Sequence, residues 1–188
     1  MIEVTVQVFE NLNEAQEKLD NLGYEFLESY VMEDSYFSRF DMEEIKFLDF
    51  ETLSKNSLLV RKILNEHPVS FFLHKNKSFD KNGDVVNEEK IAVKVSEPEI
   101  IKEILKSSNL NNYLNFETRI FVYKRENIIF ALQEVENLGL FIEYEEDNTM
   151  ENLQADQKRS LLISRLKELG LKLGEDFNCK KVFMHLHK

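Results

Sequence analysis

Residues 135–145, with the sequence VENLGLFIEYE, decide the fold. Asn137 and Gly139 predict a turn, and a strand follows in which the even-numbered positions are apolar. Successive side chains of a strand point to opposite faces, so Glu143 and Glu145 are expected side by side on one face. Two neighbouring carboxylates repel each other unless a cation lies between them, and Mg²⁺ and Mn²⁺ prefer carboxylate oxygens. The spacing indicates a metal site, with an ordinary solvated strand face as the alternative.

The composition of the 188 residues is typical of a globular protein, with 43% hydrophobic and 31% charged residues. This length suits one domain over residues 1–188. No apolar run is long enough to cross a bilayer, and the N-terminus enters a strand pattern without a signal sequence. The single cysteine, Cys179, excludes an intrachain disulfide. We therefore expect a cytoplasmic protein without a membrane segment.

The net charge of −11 argues against a nucleic-acid partner. Proteins that bind duplexes usually carry a basic stripe, because neutralising phosphates supplies most of their affinity. The only basic pairs, at residues 124–125 and 180–181, are too short to form such a stripe. Net charge does not fix the sign of the charge inside a cleft, so a basic pocket for a small anion stays compatible with this composition.

Hairpin and helix signals fill the rest of the chain. Strand patterns occupy residues 2–9, 58–63, 69–75, 88–95, 116–124, 128–133 and 177–186, and residues 24–40 are typical of a strand followed by a loop. Asn82-Gly83 predicts a tight hairpin turn, and Ser96 with Glu99 predicts a capping box that begins a helix. Further helix patterns cover residues 12–22 and 149–169. The order predicts an α+β fold on a mostly antiparallel sheet, either open or closed into a barrel.

Four segments of the chain resemble the CYTH superfamily of triphosphate-tunnel proteins, which includes class IV adenylyl cyclases and thiamine triphosphatases. They are IEVTVQV at residues 2–8, DSYF at 34–37, SEPE at 96–99 and LQEVENLGLFIEYE at 132–145. The last segment is the most specific, and the likeness is strongest to the bacterial class IV cyclase branch. The resemblance implies an eight-stranded antiparallel tunnel-like β-barrel with helices packed outside, whose lumen binds a small-molecule triphosphate or nucleotide.

The resemblance also implies roles for individual residues. Glu3, Glu143 and Glu145 match the carboxylates that hold Mg²⁺ or Mn²⁺ in the family. The phosphate-binding cations of the family are matched by Arg61, Lys75 and Arg119. No catalytic residue is assigned, and a homodimer stays open as the oligomeric state.

Several positions depart from the family pattern. Neutral or opposite residues stand where the family has charged ones, at Thr5, Gln7, Leu59, Ala92, Glu117 and Gln133. Loss of one metal-binding carboxylate or one transition-state cation commonly costs about a thousandfold in rate. Two hypotheses follow: a metal-dependent triphosphatase or class IV cyclase-like enzyme, or an eroded barrel that binds a polyanion or nucleotide without turnover. An unrelated α+β domain is the third reading.

The two C-terminal histidines offer a second candidate metal site. His185 and His187 would share one face of the last predicted strand. Two imidazoles on one face can bind a metal, although histidines at a C-terminus are more often an incidental tail.

Overall fold

Eight strands form one sheet in the computed structural model, which describes residues 2–81 and 85–188. The strands are β1 Glu3–Val8, β2 Glu25–Ser38, β3 Ser57–Leu64, β4 Val69–Phe79, β5 Val85–Val95, β6 Asn111–Arg125, β7 Ile128–Val135 and β8 Gly139–Glu145. Their order in the sheet is β1-β8-β7-β6-β2-β3-β4-β5. The predicted α+β class with eight antiparallel strands is confirmed.

The described residues hold more helices than the sequence predicted. They are α1 Leu12–Asn21, α2 Met42–Ile45, α3 Phe50–Lys55, α4 Pro98–Ser107, α5 Ala155–Lys167 and α6 Lys181–Leu186, with a 3₁₀ turn at Asn148–Met150. Aspartates begin the two short helices: the Asp41 carboxylate accepts from the backbone N–H of Glu44, and the Asp49 carboxylate from that of Thr52. Such N-caps satisfy backbone donors that have no partner inside a helix.

The structure corrects three local predictions. The C-terminal strand over 177–186 was wrong, because most of that segment is helix α6. The capping box was also wrong: the N-cap of α4 is Glu97, its side chain makes no capping hydrogen bond, and Pro98 opens the helix instead. The predicted start at Thr149 lies in the 3₁₀ turn, and α5 begins only at Ala155.

The chain packs as two compact units. The first comprises Met1–Ser29 and Arg119–Cys179. Its core is built from the even-numbered side chains of β1 and β8, which pack with leucines of α1 and α5, namely Val4, Val6, Val8, Leu140, Ile142, Tyr144, Leu19, Leu162 and Leu166. Because strand side chains alternate, the odd-numbered side chains of β1 and β8 lie on the other face of the sheet.

The second unit comprises Tyr30–Thr118 and Lys180–Lys188. Strands β3, β4 and β5 form an antiparallel meander, and α4 packs Leu105 against Phe37 and Val60 on one face of it. The pairing of β4 with β5 confirms the predicted hairpin arms, while the predicted turn at Asn82-Gly83 lies outside the described residues. That the two units form one domain over 1–188 stays a prediction.

The lengths of the helices test the expectation that the chain has no membrane-spanning helix. In the described part of the chain, the longest helix is the 13-residue α5, and no helix there has the length and apolar character of a membrane span.

Candidate functional site

The pairing of β1 with β8 assembles the predicted metal ligands. Glu3 lies opposite Glu145, and Thr5 lies opposite Glu143. One carboxylate oxygen from each glutamate lies within 4.8 Å of the other two, and all three side chains are half-buried. The structure thus brings together Glu3 and Glu145, which are 142 positions apart in the chain.

Thr5 and Gln133 are neutral, buried residues on the strand face that carries the carboxylate group. The Thr5 hydroxyl donates a hydrogen bond of 3.3 Å to the Glu143 Oε2. Thr5 therefore orients a carboxylate from the position where the family has a second acid. Three carboxylates with converging oxygens are a donor set that suits a hard divalent cation such as Mg²⁺ or Mn²⁺.

Arg119 lies away from the carboxylate group. It forms an ion pair with Glu134, and its side chain is 53% exposed. Glu134 and the core residue Leu132 are two positions apart in β7, so they share a strand face, whereas Glu143 lies opposite Ala131. The partner of Arg119 is therefore on the face of the sheet opposite the carboxylates.

In the second unit, Arg61 forms an ion pair with an acid of the neighbouring strand. Its Nε and one terminal nitrogen donate to the two carboxylate oxygens of Asp34, at 2.7 and 2.6 Å. The Asp34 side chain is only 2% exposed. Two-point pairs of this kind are strong and fix the guanidinium plane. A residue predicted to bind phosphate thus has a built-in anionic partner.

Lys75 belongs to a cluster of three lysines around one buried acid. The Glu88 carboxylate lies 2.9 Å from the Lys77 ammonium, 3.4 Å from Lys75 and 3.8 Å from Lys90. Its side chain is 2% exposed. Burial alone raises the pKa of Glu88, but the charges of the three lysines outweigh it and lower that pKa to about 2. We call these four residues the lysine cluster.

Aromatic rings pack around Tyr36, a buried residue of β2 whose pKa is affected by the charge of Glu88. The Tyr36 ring stacks at 5.9 Å on Phe116 and lies 6.0 Å from Tyr113. Burial, and then the charge of Asp34, raise the pKa of Tyr36 well above its usual range; the Glu88 charge also contributes. The Tyr36 phenol is therefore neutral and lies within electrostatic reach of the cluster.

The C-terminal helix adds a further ring to this stack. His185 of α6 stacks on Phe116 with ring centroids 4.5 Å apart. His187 instead contacts Phe183, 4.0 Å between ring centroids. The expected pair of histidines on one strand face is therefore wrong, because the segment is helical and the two rings pack against different aromatic residues.

The sequence reading missed Lys77, the partner role of Asp34 and the burial of Glu88. Lys77 could have been found, since it is two positions from Lys75 on a strand and shares its face. The other two depend on cross-strand register: Asp34 opposite Arg61, and Glu88 opposite Lys77. The tight turn predicted at Asn82-Gly83 already implies that Glu88 lies opposite Lys77, so this pair could have been found, whereas the register between β2 and β3 is not visible in one sequence.

Known proteins resemble the chain over its whole length. No family model matches it. A Methanocaldococcus jannaschii protein named "Putative adenylate cyclase" is 27% identical over 187 residues, which cover 99% of this chain and 98% of that protein. The structure of the PH1819 protein of Pyrococcus horikoshii matches with a TM-score of 0.72 and 22% identity, over 99% of each chain.

A further likeness is to a Hippeastrum protein whose structure is described as that of a "putative adenylyl cyclase" with "a dominant triphosphatase activity". It matches with a TM-score of 0.63 and 17% identity, over 99% of this chain and 95% of that protein. At such identities the solved structures show a shared fold alone. The chain therefore has the fold of proteins described as putative adenylyl cyclases.

Proposed function

We propose that the chain binds a small-molecule triphosphate or nucleotide and processes it with Mg²⁺ or Mn²⁺. The observation that carries this proposal is the carboxylate group of Glu3, Glu143 and Glu145, whose ligand atoms converge within 4.8 Å. Three converging carboxylates repel one another, and their oxygens are the ligands that Mg²⁺ and Mn²⁺ prefer. A bound divalent cation offsets it.

The lysine cluster supports the phosphate half of the proposal. Lys75, Lys77 and Lys90 gather three ammonium groups on adjacent strands of the second unit. Polyphosphates carry several negative charges, so a site that desolvates them needs several cations. A divalent metal, when bound, polarises phosphoryl oxygens and offsets charge that develops in phosphoryl transfer. Glu3, Glu143 and Glu145 would hold that metal, with the Thr5 hydroxyl orienting Glu143.

Between the two reactions, hydrolysis is favoured over cyclisation. The Hippeastrum protein of similar fold is described with a dominant triphosphatase activity. In the class IV cyclase branch that the chain resembles, the hairpin arm that corresponds to β5 carries paired acids, and Lys90 and Ala92 stand at those positions here. The Methanocaldococcus jannaschii relative is named a putative adenylate cyclase, so class IV adenylyl cyclase-like cyclisation is the second reaction covered by this proposal.

A second candidate function is a polyanion-binding module without turnover. This candidate is favoured because two residues predicted to bind phosphate already pair with acids of the protein. Arg61 pairs with Asp34, and Lys75 pairs with Glu88. Neutral Thr5 and Gln133 at the carboxylate group point the same way. In this case the protein binds its ligand but has lost the chemistry.

Product release from a substrate panel tests the proposal. Tripolyphosphate, thiamine triphosphate, ATP and GTP are incubated with Mg²⁺ or Mn²⁺, and phosphate and pyrophosphate are measured. The wild type is compared with Glu143→Gln/Glu145→Gln and with Glu151→Gln, an exposed acid outside the group. We expect turnover that only the double variant loses. Binding without turnover supports the module, and neither binding nor turnover contradicts both.

A further inference from the structure

Glu88 is an unusual residue for a phosphate site, because it is a buried anion among the cations that would hold the ligand. Its carboxylate forms ion pairs with Lys77 and Lys75, at 2.9 and 3.4 Å. Those are the contacts that a phosphate oxygen makes with lysine. With Glu88 ionised, the lysine cluster carries a net charge of two rather than three.

The position of Glu88 makes this charge effective at the site. Its side chain is 2% exposed, so water screens it weakly, and a charge there acts more strongly than a charge on the surface. Lys77 lies directly opposite Glu88 across the β4–β5 pair, and Lys75 lies opposite Lys90. A ligand that contacts these lysines therefore lies within a few ångströms of a fixed negative charge.

We propose that Glu88 is a specificity-determining residue that limits the negative charge of the ligand the lysine cluster accepts. The repulsion it exerts grows with the charge of the ligand. Free, fully ionised polyphosphates are penalised most, and ligands with fewer charges, such as orthophosphate or a metal-complexed polyphosphate, are penalised least. This inference rests on the proposed phosphate binding and adds to it a preference by charge.

A purely structural role for Glu88 makes the opposite prediction. If its carboxylate only holds Lys75 and Lys77 in place, its loss lets the ammonium groups move apart and weakens the binding of every anion. If it acts as an internal anion, its loss strengthens anion binding, and more so for the more highly charged anion. The two roles are therefore separated by the sign of the change and by its dependence on ligand charge.

Calorimetric titration in EDTA at low, constant ionic strength tests the proposal. Orthophosphate, pyrophosphate and tripolyphosphate are titrated into wild type, Glu88→Gln and Glu89→Gln. Glu89 is exposed and one position along β5, so its side chain points to the other face and its substitution makes the same change in net charge. We expect Glu88→Gln to bind tripolyphosphate about tenfold more tightly and orthophosphate with a smaller gain, whereas Glu89→Gln stays near wild type.

A charge-restoring variant separates charge from shape. Glu88→Gln/Lys90→Gln returns the cluster to its wild-type net charge, and we expect its tripolyphosphate affinity to return to near that of wild type. Should Glu88→Gln not fold, Lys90→Gln alone makes the opposite change. We then expect tripolyphosphate binding to weaken by about tenfold and orthophosphate binding by less; equal effects on both ligands would overturn the proposal.

The outcomes distinguish this inference from the proposed function. If wild type binds tripolyphosphate and Glu88→Gln binds it no more tightly, the inference fails and the proposed function stands. Binding in EDTA by Glu88→Gln alone supports the inference, and the proposed function of the wild type, which requires Mg²⁺ or Mn²⁺, is then decided by product release from the substrate panel. If neither protein binds any of the three anions in EDTA, the inference fails.

Discussion

Arg61 donates two hydrogen bonds to Asp34 across the β2–β3 pair, at 2.7 and 2.6 Å. Asp34 is almost fully buried, so this carboxylate has little water to solvate it. The guanidinium of Arg61 therefore stabilises the fold by neutralising Asp34, in addition to any role in binding an anion. A phosphate ligand would meet an arginine whose plane is already fixed.

The first prediction concerns the stability of this ion pair. We expect Asp34→Ala to lower the free energy of unfolding by about 3 kcal/mol, because it leaves a mostly buried guanidinium without its counter-ion. Urea denaturation of the purified variants measures the change. Arg61→Met should cost a similar amount, and the double variant should cost less than the sum of the two, because the pair acts as a unit.

An exposed ion pair of the same unit is the matched control. Glu51 and Lys55 pair at spacing i,i+4 on α3, and both side chains are about half exposed. We expect Glu51→Gln to change the free energy of unfolding by less than about 0.5 kcal/mol. Equal effects of Asp34→Ala and Glu51→Gln would contradict a special role for the Asp34–Arg61 pair.

The second prediction concerns metal binding. We expect Mn²⁺ to bind the wild type and to lose at least tenfold in affinity in Glu143→Gln, because an amide oxygen replaces an ionised ligand of the carboxylate group. Electron paramagnetic resonance of free Mn²⁺ measures the bound fraction. Glu151→Gln, with the same change in net charge, should bind Mn²⁺ as the wild type does. Identical Mn²⁺ binding by all three proteins would remove the metal site from the account.

The third prediction concerns the Thr5 hydroxyl. Thr5→Val keeps the shape of the side chain and deletes the hydrogen bond to Glu143. We expect Mn²⁺ affinity to fall about tenfold, because groups that orient a metal ligand typically contribute this much. Thr5→Ser retains the hydroxyl and should restore the affinity. A Thr5→Val protein that binds Mn²⁺ like wild type would show that Glu143 needs no such support.

The fourth prediction concerns stability in acid. The lysines hold the pKa of Glu88 at about 2, below its ordinary value of 4.5. Between these values the unfolded chain binds more protons than the folded chain, so the stability contributed by Glu88 is complete above 4.5 and is lost as the pH falls through 2. We therefore expect the stability difference between wild type and Glu88→Gln to shrink over that window.

Urea denaturation at about pH 5 and about pH 2.5 measures this difference. Glu89→Gln, an exposed acid of the same strand, is the comparison that removes a carboxylate without touching the lysine cluster. A difference between wild type and Glu88→Gln that is the same at both pH values would mean that the lysines do not hold the Glu88 carboxylate ionised.

The carboxylate group was largely predictable from the sequence, because the face on which each glutamate lies follows from the alternation within its own strand. Alternation in 140–145 puts Glu143 and Glu145 on one face, and alternation in residues 2–8 fixes the face of Glu3 relative to the valines. What the residues alone did not provide was the pairing of β1 with β8, a contact between the two ends of the chain. The family resemblance supplied that link.

The phosphate-binding residues were harder to predict, because their environment depends on partners from other strands. Arg119 matched a family motif by position, yet it pairs with Glu134 on the face opposite the carboxylates. Arg61 and Lys75 each pair with an acid of a neighbouring strand, Asp34 and Glu88, and the sequence does not show that these two acids are buried. At the C-terminus, the packing of Phe183 and His185 of α6 against the aromatic rings of Phe50 and Phe116 outweighed the strand-like pattern of residues 177–186.

The most direct test of the account is the affinity for tripolyphosphate with and without Mn²⁺, measured by calorimetry on wild type and Glu143→Gln/Glu145→Gln. The account predicts that the wild type binds tripolyphosphate more tightly with Mn²⁺ than in EDTA, and that the double variant loses this gain while still binding in EDTA. Failure of the wild type to bind tripolyphosphate under either condition would contradict it.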